Sequence, residues 1–227
     1  MPVLGPDDRA ALTELAPVLR RAVALDPRSL ARLRLDPGAA TVLVRLPFGV
    51  LVSRTVRGAG RAEPVDVTVR AADAIEWLDT DTDTDTDTDS DRGRAAPEPR
   101  DTEWRTGLPP ARGWRRIETV PDDVIRSLVR AGALALQDAA AREGVPGAQP
   151  RAEVADALLD STVLTVTEDD GPASAAVTLR ALSALLRMGF LPRGGAVHVD
   201  LAGRWVRVVA EFGTVYLERP GQTLLVR

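Results

Sequence analysis

The residues able to do chemistry in this chain are few, and several cluster near its C-terminal end. In A-V-H-V-D-L (196–201) strict alternation predicts a strand. Val197, Val199 and Leu201 fall on one side, and His198 and Asp200 on the other, about 7 Å apart. The segments R-W-V-R-V-V-A-E and T-V-Y-L-E follow at hairpin spacing. With turns at Ala202–Gly203 and Phe212–Gly213, His198 stands opposite Arg207 and Asp200 opposite Trp205. Arg207 then meets Glu218, and Val209 meets Tyr216. One face gathers His198, Asp200, Trp205, Arg207, Glu211, Tyr216 and Glu218. Aromatic rings beside charges are the composition of protein contact faces. The default alternative is the wet side of an antiparallel sheet with its opposite charges paired. A register slip of one residue would exchange the two faces.

A second group lies in D-T-E-W-R-T-G-L-P-P-A-R-G-W-R-R, where Trp104, Trp114 and Arg115 share a Pro/Gly-rich stretch. The arginines can stack on neighbouring rings. The alternative is that both rings plug apolar gaps at the start of a second domain, because an exposed Trp in a loop needs a partner.

The wider catalytic inventory is thin. The sequence has no Cys and no Lys, which removes thiol nucleophiles, Schiff bases and the phosphate-loop lysine. A single His leaves no two-histidine metal site. No carboxylate spacing picks out an acid–base pair, so no catalytic residue, metal site or cofactor is assigned. An enzyme using carboxylates or His198 ranks last of three readings. The acidic E-D-D-G-P loop (168–172) could attract a divalent cation but reads better as a solvated turn before a helix.

A nucleic-acid reading ranks second. Helix, helix, strand, helix and hairpin over 121–211 approximates winged-helix order, with Thr178, Arg180, Ser183 and Arg187 on the reading helix and Arg204 and Arg207 on the wing. Electrostatics oppose it. Net charge is −4, all 29 basic residues are Arg, and the excess acid is local. Phosphate binding needs a basic surface, and the 101–227 half is close to neutral. The lack of Lys and Asn, with scarce Ile, Phe and Tyr, points to a genome of high G+C content, so Arg is simply the available cation.

The acid sits in D-T-D-T-D-T-D-T-D-T-D-S-D (79–91). Alternate aspartates repel along a strand and are poor in a helix. The repeat also lacks the glycine that a calcium-binding helix–loop–helix site needs at its sixth position. With the Pro/Gly-rich residues after it, 79–100 is expected to be a disordered acidic linker. It divides the chain into a domain over 1–78 and another over 101–227.

In 1–78, acids and Pro at the start predict a helix with Leu12, Leu15, Leu19 and Val23 on one face, bent or ended by Pro17. S-L-A-R-L-R-L reads as a short helix stopped by D-P-G. Two strands joined by P-F-G, a third strand V-D-V-T-V-R and the closing helix A-D-A-I-E-W-L follow. In 101–227, V-P-D-D opens a long helix to about Gly144, then a helix over 151–159, the strand S-T-V-L-T-V-T, a helix over 174–189 capped by Ser174, and the three-stranded meander. Residues 32–46 align without gaps on 187–201, which makes an internal duplication a candidate.

The stretch L-P-P-A-R-G-W-R-R-I-E-T-V-P-D-D-V resembles a group of uncharacterised two-domain proteins of high-G+C bacteria. That resemblance implies no activity. The expectation is therefore an α+β chain of two small domains, each with amphipathic helices on an antiparallel meander. No signal segment and no apolar run of membrane length is apparent, so a cytoplasmic location is expected. The leading reading is a non-enzymatic protein-binding or scaffolding module with an unidentified protein partner.

Overall fold

The computed structural model describes residues 4, 8–58, 62–79, 96–142, 148–168 and 172–219. Most of the Asp-Thr repeat and the tip of the E-D-D-G-P loop lie outside the described residues. The chain forms two compact units, Met1–Gly107 and Leu108–Arg227. Each is an α+β assembly of helices on an antiparallel sheet.

The first unit opens with α1 (Asp8–Thr13) and α2 (Ala16–Leu25). Pro17 divides them by standing in the first turn of α2, where its missing N–H costs nothing. Strands β1 (Leu30–Asp36), β2 (Ala39–Arg45), β3 (Leu51–Arg57) and β4 (Val65–Arg70) follow, then α3 (Ala71–Leu78). Their order is β4-β1-β2-β3, with β1 antiparallel to both β2 and β4 and β2 antiparallel to β3.

The segment S-L-A-R-L-R-L is thus a strand and not the expected short helix. Ala31, Leu33 and Leu35 are fully buried at alternate positions, while Arg32 and Arg34 point to the other side. Period two decides the structure here, because those apolar residues meet Val69, Val67 and Val65 of β4 in register. Leu15, Leu19, Ala22, Ala74 and Trp77 of the helical layer are buried with them. Each fully buried aliphatic side chain contributes about 1.5–3 kcal/mol. Residues after the repeat seal the outer edge of β4. Thr68 accepts from the Arg100 N–H, and its own N–H donates to Asp101 Oδ1, both at 2.7 Å.

The second unit runs β5 (Arg115–Pro121), α4 (Asp122–Arg142), α5 (Ala148–Leu159), β6 (Thr162–Thr167), β7 (Ser174–Thr178), α6 (Leu179–Arg187), β8 (Ala196–Ala202), β9 (Trp205–Ala210) and β10 (Gly213–Glu218). The sheet order is β10-β9-β8-β5, and β6 and β7 form a separate ribbon. Ser174 does not cap a helix as expected. It opens β7, and the cap of α6 is Thr178, whose hydroxyl accepts from the Ala181 N–H. Ala175 and Val177 are buried at alternate positions, so the period-two signal outweighs the serine.

The two units share a spatial plan in a different chain order. In each, a strand that runs directly into a helix (β4 into α3, β5 into α4) pairs with the first strand of a three-stranded meander. The gapless alignment of 32–46 on 187–201 does not respect this plan, since it lays β1 on the end of α6.

Candidate aromatic and arginine binding face

Turn chemistry sets the register of the C-terminal meander. The β8–β9 turn is Gly203–Arg204, with Gly203 at φ +54°, and the β9–β10 turn is Glu211–Phe212. Gly213 admits no side chain, because a Cβ would lie 2.5 Å from the Phe190 ring. His198 therefore faces Val209, Asp200 faces Arg207, Ala202 faces Trp205, and Tyr216 faces Arg207. Each expected pairing is displaced by two residues. A slip of two preserves the face, so His198, Asp200, Trp205, Arg207, Tyr216 and Glu218 share one side of the sheet. Glu211 lies in a turn. On the opposite side Val197, Val199, Val206, Val208 and Val215 are fully buried.

Asp200 is the centre of this face. Its side chain is 5% exposed; its Oδ2 accepts from Arg207 Nε at 2.8 Å, and Arg207 Nη2 stands at the same distance as an ion-pair contact. Arg116 Nε stands 3.6 Å from Oδ1, which is buried and accepts no hydrogen bond. The Arg207 guanidinium lies 4.4 Å from the Trp114 ring centroid. Trp114 leans on Tyr216, with ring centroids 6.0 Å apart and planes tilted by 53°. The Trp114 indole N–H donates to Pro110 O at 2.8 Å, which fixes the ring. Glu218 pairs with Arg204 at 2.9 Å.

Trp114 thus joins the sheet face. Trp104 does not: it belongs to the first unit, 5.9 Å from the Arg32 guanidinium, and donates to Thr106 O. The expectation that both rings open the second domain holds for Trp114 alone. Arg115 pairs with Glu168. Trp205 is only 8% exposed, so most of its ring is packed within the face.

Sequence reasoning missed Arg116 and Thr119. Alternation from Trp114 could have placed Arg116, but a bulge between Arg116 and Glu118 resets the phase and turns Thr119 to the same face. Thr119 Oγ1 and His198 Nδ1 are 3.0 Å apart. Burial, and then Arg116, lower the His198 pKa, partly offset by Asp200. Among the described residues no carboxylate is hydrogen-bonded to the imidazole, so the pair lacks the orienting member of a nucleophile relay. No group of metal-ligating side chains occurs among the described residues.

The winged-helix arrangement is corrected. Residues 174–178 form a strand, and the helix that would read DNA has only nine residues. Arg180 is bound to Asp160 and Asp156 at 2.7 and 3.0 Å, with 12% of its side chain exposed. Thr178 is a helix cap, Arg187 closes α6, and Arg204 is held by Glu218.

A family model described as Domain of unknown function (DUF8010) matches residues 1–98, and one described as Domain of unknown function (DUF8185) matches residues 109–222. No curated protein matches the chain. Among solved structures, the beta subunit from DNA polymerase of Streptococcus pyogenes aligns with TM-score 0.57 at 11% identity, covering 96% of this chain and 66% of that one. The DNA polymerase sliding clamp from Caulobacter crescentus aligns at 0.53 and 14%, covering 92% and 63%. The Helicobacter pylori beta clamp bound to DNA ligase peptide aligns at 0.52 and 10%, covering 96% and 68%. The chain spans about two thirds of the length of these clamps. At such identity the likeness shows the fold, which is clamp-like. With more than half its length matched by the second model, the chain belongs to the family of Domain of unknown function (DUF8185).

Proposed function

We propose that this chain is a non-enzymatic, clamp-like binding module, placed in the cytoplasm, whose partner is a protein segment docking on the outer face of the C-terminal sheet. One observation carries the reading: Trp114, Arg116, Arg207 and Tyr216 converge on one face of that sheet. Aromatic and arginine side chains dominate the energetics of protein contacts. The clamp-like fold supports it, since one clamp of that fold is bound to a DNA ligase peptide. Among the described residues no carboxylate orients the His198 imidazole, which favours binding over catalysis. Among the described residues no helix is long and apolar enough to cross a membrane.

Affinity capture from native lysate, with and without nuclease, tests the reading. A protein companion that survives nuclease is expected. Companions lost with the nucleic acid would replace the reading with nucleic-acid binding. A measurable activity abolished by His198→Ala would replace it with catalysis.

A further inference from the structure

We propose that the outer face of the C-terminal sheet takes an acidic peptide segment, with one partner carboxylate on Arg116 and a neighbouring apolar side chain against the Trp114–Tyr216 wall. This rests on the protein-binding reading and names the chemistry of the partner. The distribution of charge carries it. Arg207 donates to Asp200 Oδ2 from Nε at 2.8 Å and brings Nη2 to 2.8 Å from the same oxygen. Arg116 faces Oδ1 at 3.6 Å, too far for a hydrogen bond. One carboxylate therefore serves two guanidiniums, and the close contacts go to Arg207. Arg204 is matched by Glu218. His198, facing Thr119 and Arg116, is held toward its neutral form.

Arg116 is left as the surplus cation. Its side chain is 57% exposed, and among the described residues no carboxylate lies within hydrogen-bond distance of it. Arg116 and Trp114 are two residues apart on the edge segment of the sheet, so charge and apolar wall are adjacent. The wall is set before a partner arrives. The Trp114 ring is fixed by Arg207 on its face and by Pro110 O on its N–H. Fixing a ring in advance removes part of the ordering cost of binding. A basic segment would meet Arg116 as a like charge, and an uncharged one would leave it desolvated without a counter-ion.

The test uses the full chain. A random peptide library displayed on phage is selected on the immobilised protein, and enriched peptides are titrated by fluorescence anisotropy. The expected result is enrichment of Asp or Glu next to an aromatic or aliphatic residue. Affinity should fall about tenfold in Arg116→Glu, and further as sodium chloride rises from about 50 to about 500 mM. Arg116→Gln serves as a second variant, because a new carboxylate there faces Asp200; it should weaken binding about threefold or more while keeping the wild-type melting temperature. Enriched peptides without acids, or bound equally by both variants, would overturn the acidic class and leave the protein-binding reading standing. No enrichment at all would count against that reading and the proposal together. Preferential binding of a duplex oligonucleotide, lost in Arg116→Gln, would overturn the proposal in favour of nucleic acid.

Discussion

Each unit carries a tryptophan beside an arginine that is paired with an aspartate, yet the two groups are built for different ends. In the first unit Asp66 is 38% exposed and fully engaged: Arg32 donates to both oxygens at 2.6 and 2.9 Å, and Arg34 adds a third bond at 3.1 Å. Trp104 stands 5.9 Å from Arg32. In the second unit Asp200 is 5% exposed, one oxygen accepts no hydrogen bond, and Trp114 lies 4.4 Å from Arg207. The first group is a hydrated charge cluster on a sheet. The second buries its carboxylate under a stacked guanidinium and leaves a cation at the rim. Burial separates a pair that stabilises little from one whose disruption is costly.

The largest expected effect follows from that burial. Arg207→Ala should cost about 3–5 kcal/mol, because it strands a buried carboxylate and removes the support of Trp114. Chemical denaturation measures it, and a loss near that of a surface substitution would mean that Asp200 is hydrated. Trp205→Ala comes next, at about 3 kcal/mol for truncating a large buried ring. A weakened complex with unchanged stability would instead return Trp205 to the contact surface. Asp66→Ala in the first unit should cost about 1 kcal/mol or less, since its partners stay in contact with water.

Smallest is the titration of His198, the single histidine of the chain. Its midpoint, followed by NMR of the imidazole protons, should lie below the ordinary 6.5. Because the folded imidazole binds its proton less readily than the unfolded one, acidification from about pH 6.5 down through the folded midpoint favours unfolding. His198→Gln should remove that part of the pH dependence. Arg116→Gln should raise the midpoint, since Arg116 is one cause of the shift.

Much of the fold was legible because the C-terminal meander alternates strictly: Val197, Val199 and Leu201 could face only one way. The shared face of His198, Asp200, Arg207 and Tyr216 is insensitive to a two-residue displacement of either turn, since an even slip keeps each side chain on its side of the sheet. Other parts were hidden for physical reasons. Arg32 and Arg34 alternate with buried leucines, yet L-A-R-L-R-L also suits a helix by intrinsic propensity, and the strand is decided by β4, thirty residues on. Trp114 gave no sign of its destination, because its neighbours on the sheet come from the far end of the chain. The burial of Trp205 depends on packing above the sheet, which alternation does not report.

The most direct measurement of the central claim compares the two outer faces in one experiment. Wild-type, Tyr216→Ala and Asp66→Ala proteins, each matched for folding by thermal melt, are used for nuclease-treated affinity capture with quantitative mass spectrometry. Protein companions of the wild type should be retained by Asp66→Ala and depleted by Tyr216→Ala. Retention by Tyr216→Ala with loss in Asp66→Ala would contradict it and move the contact to the first unit.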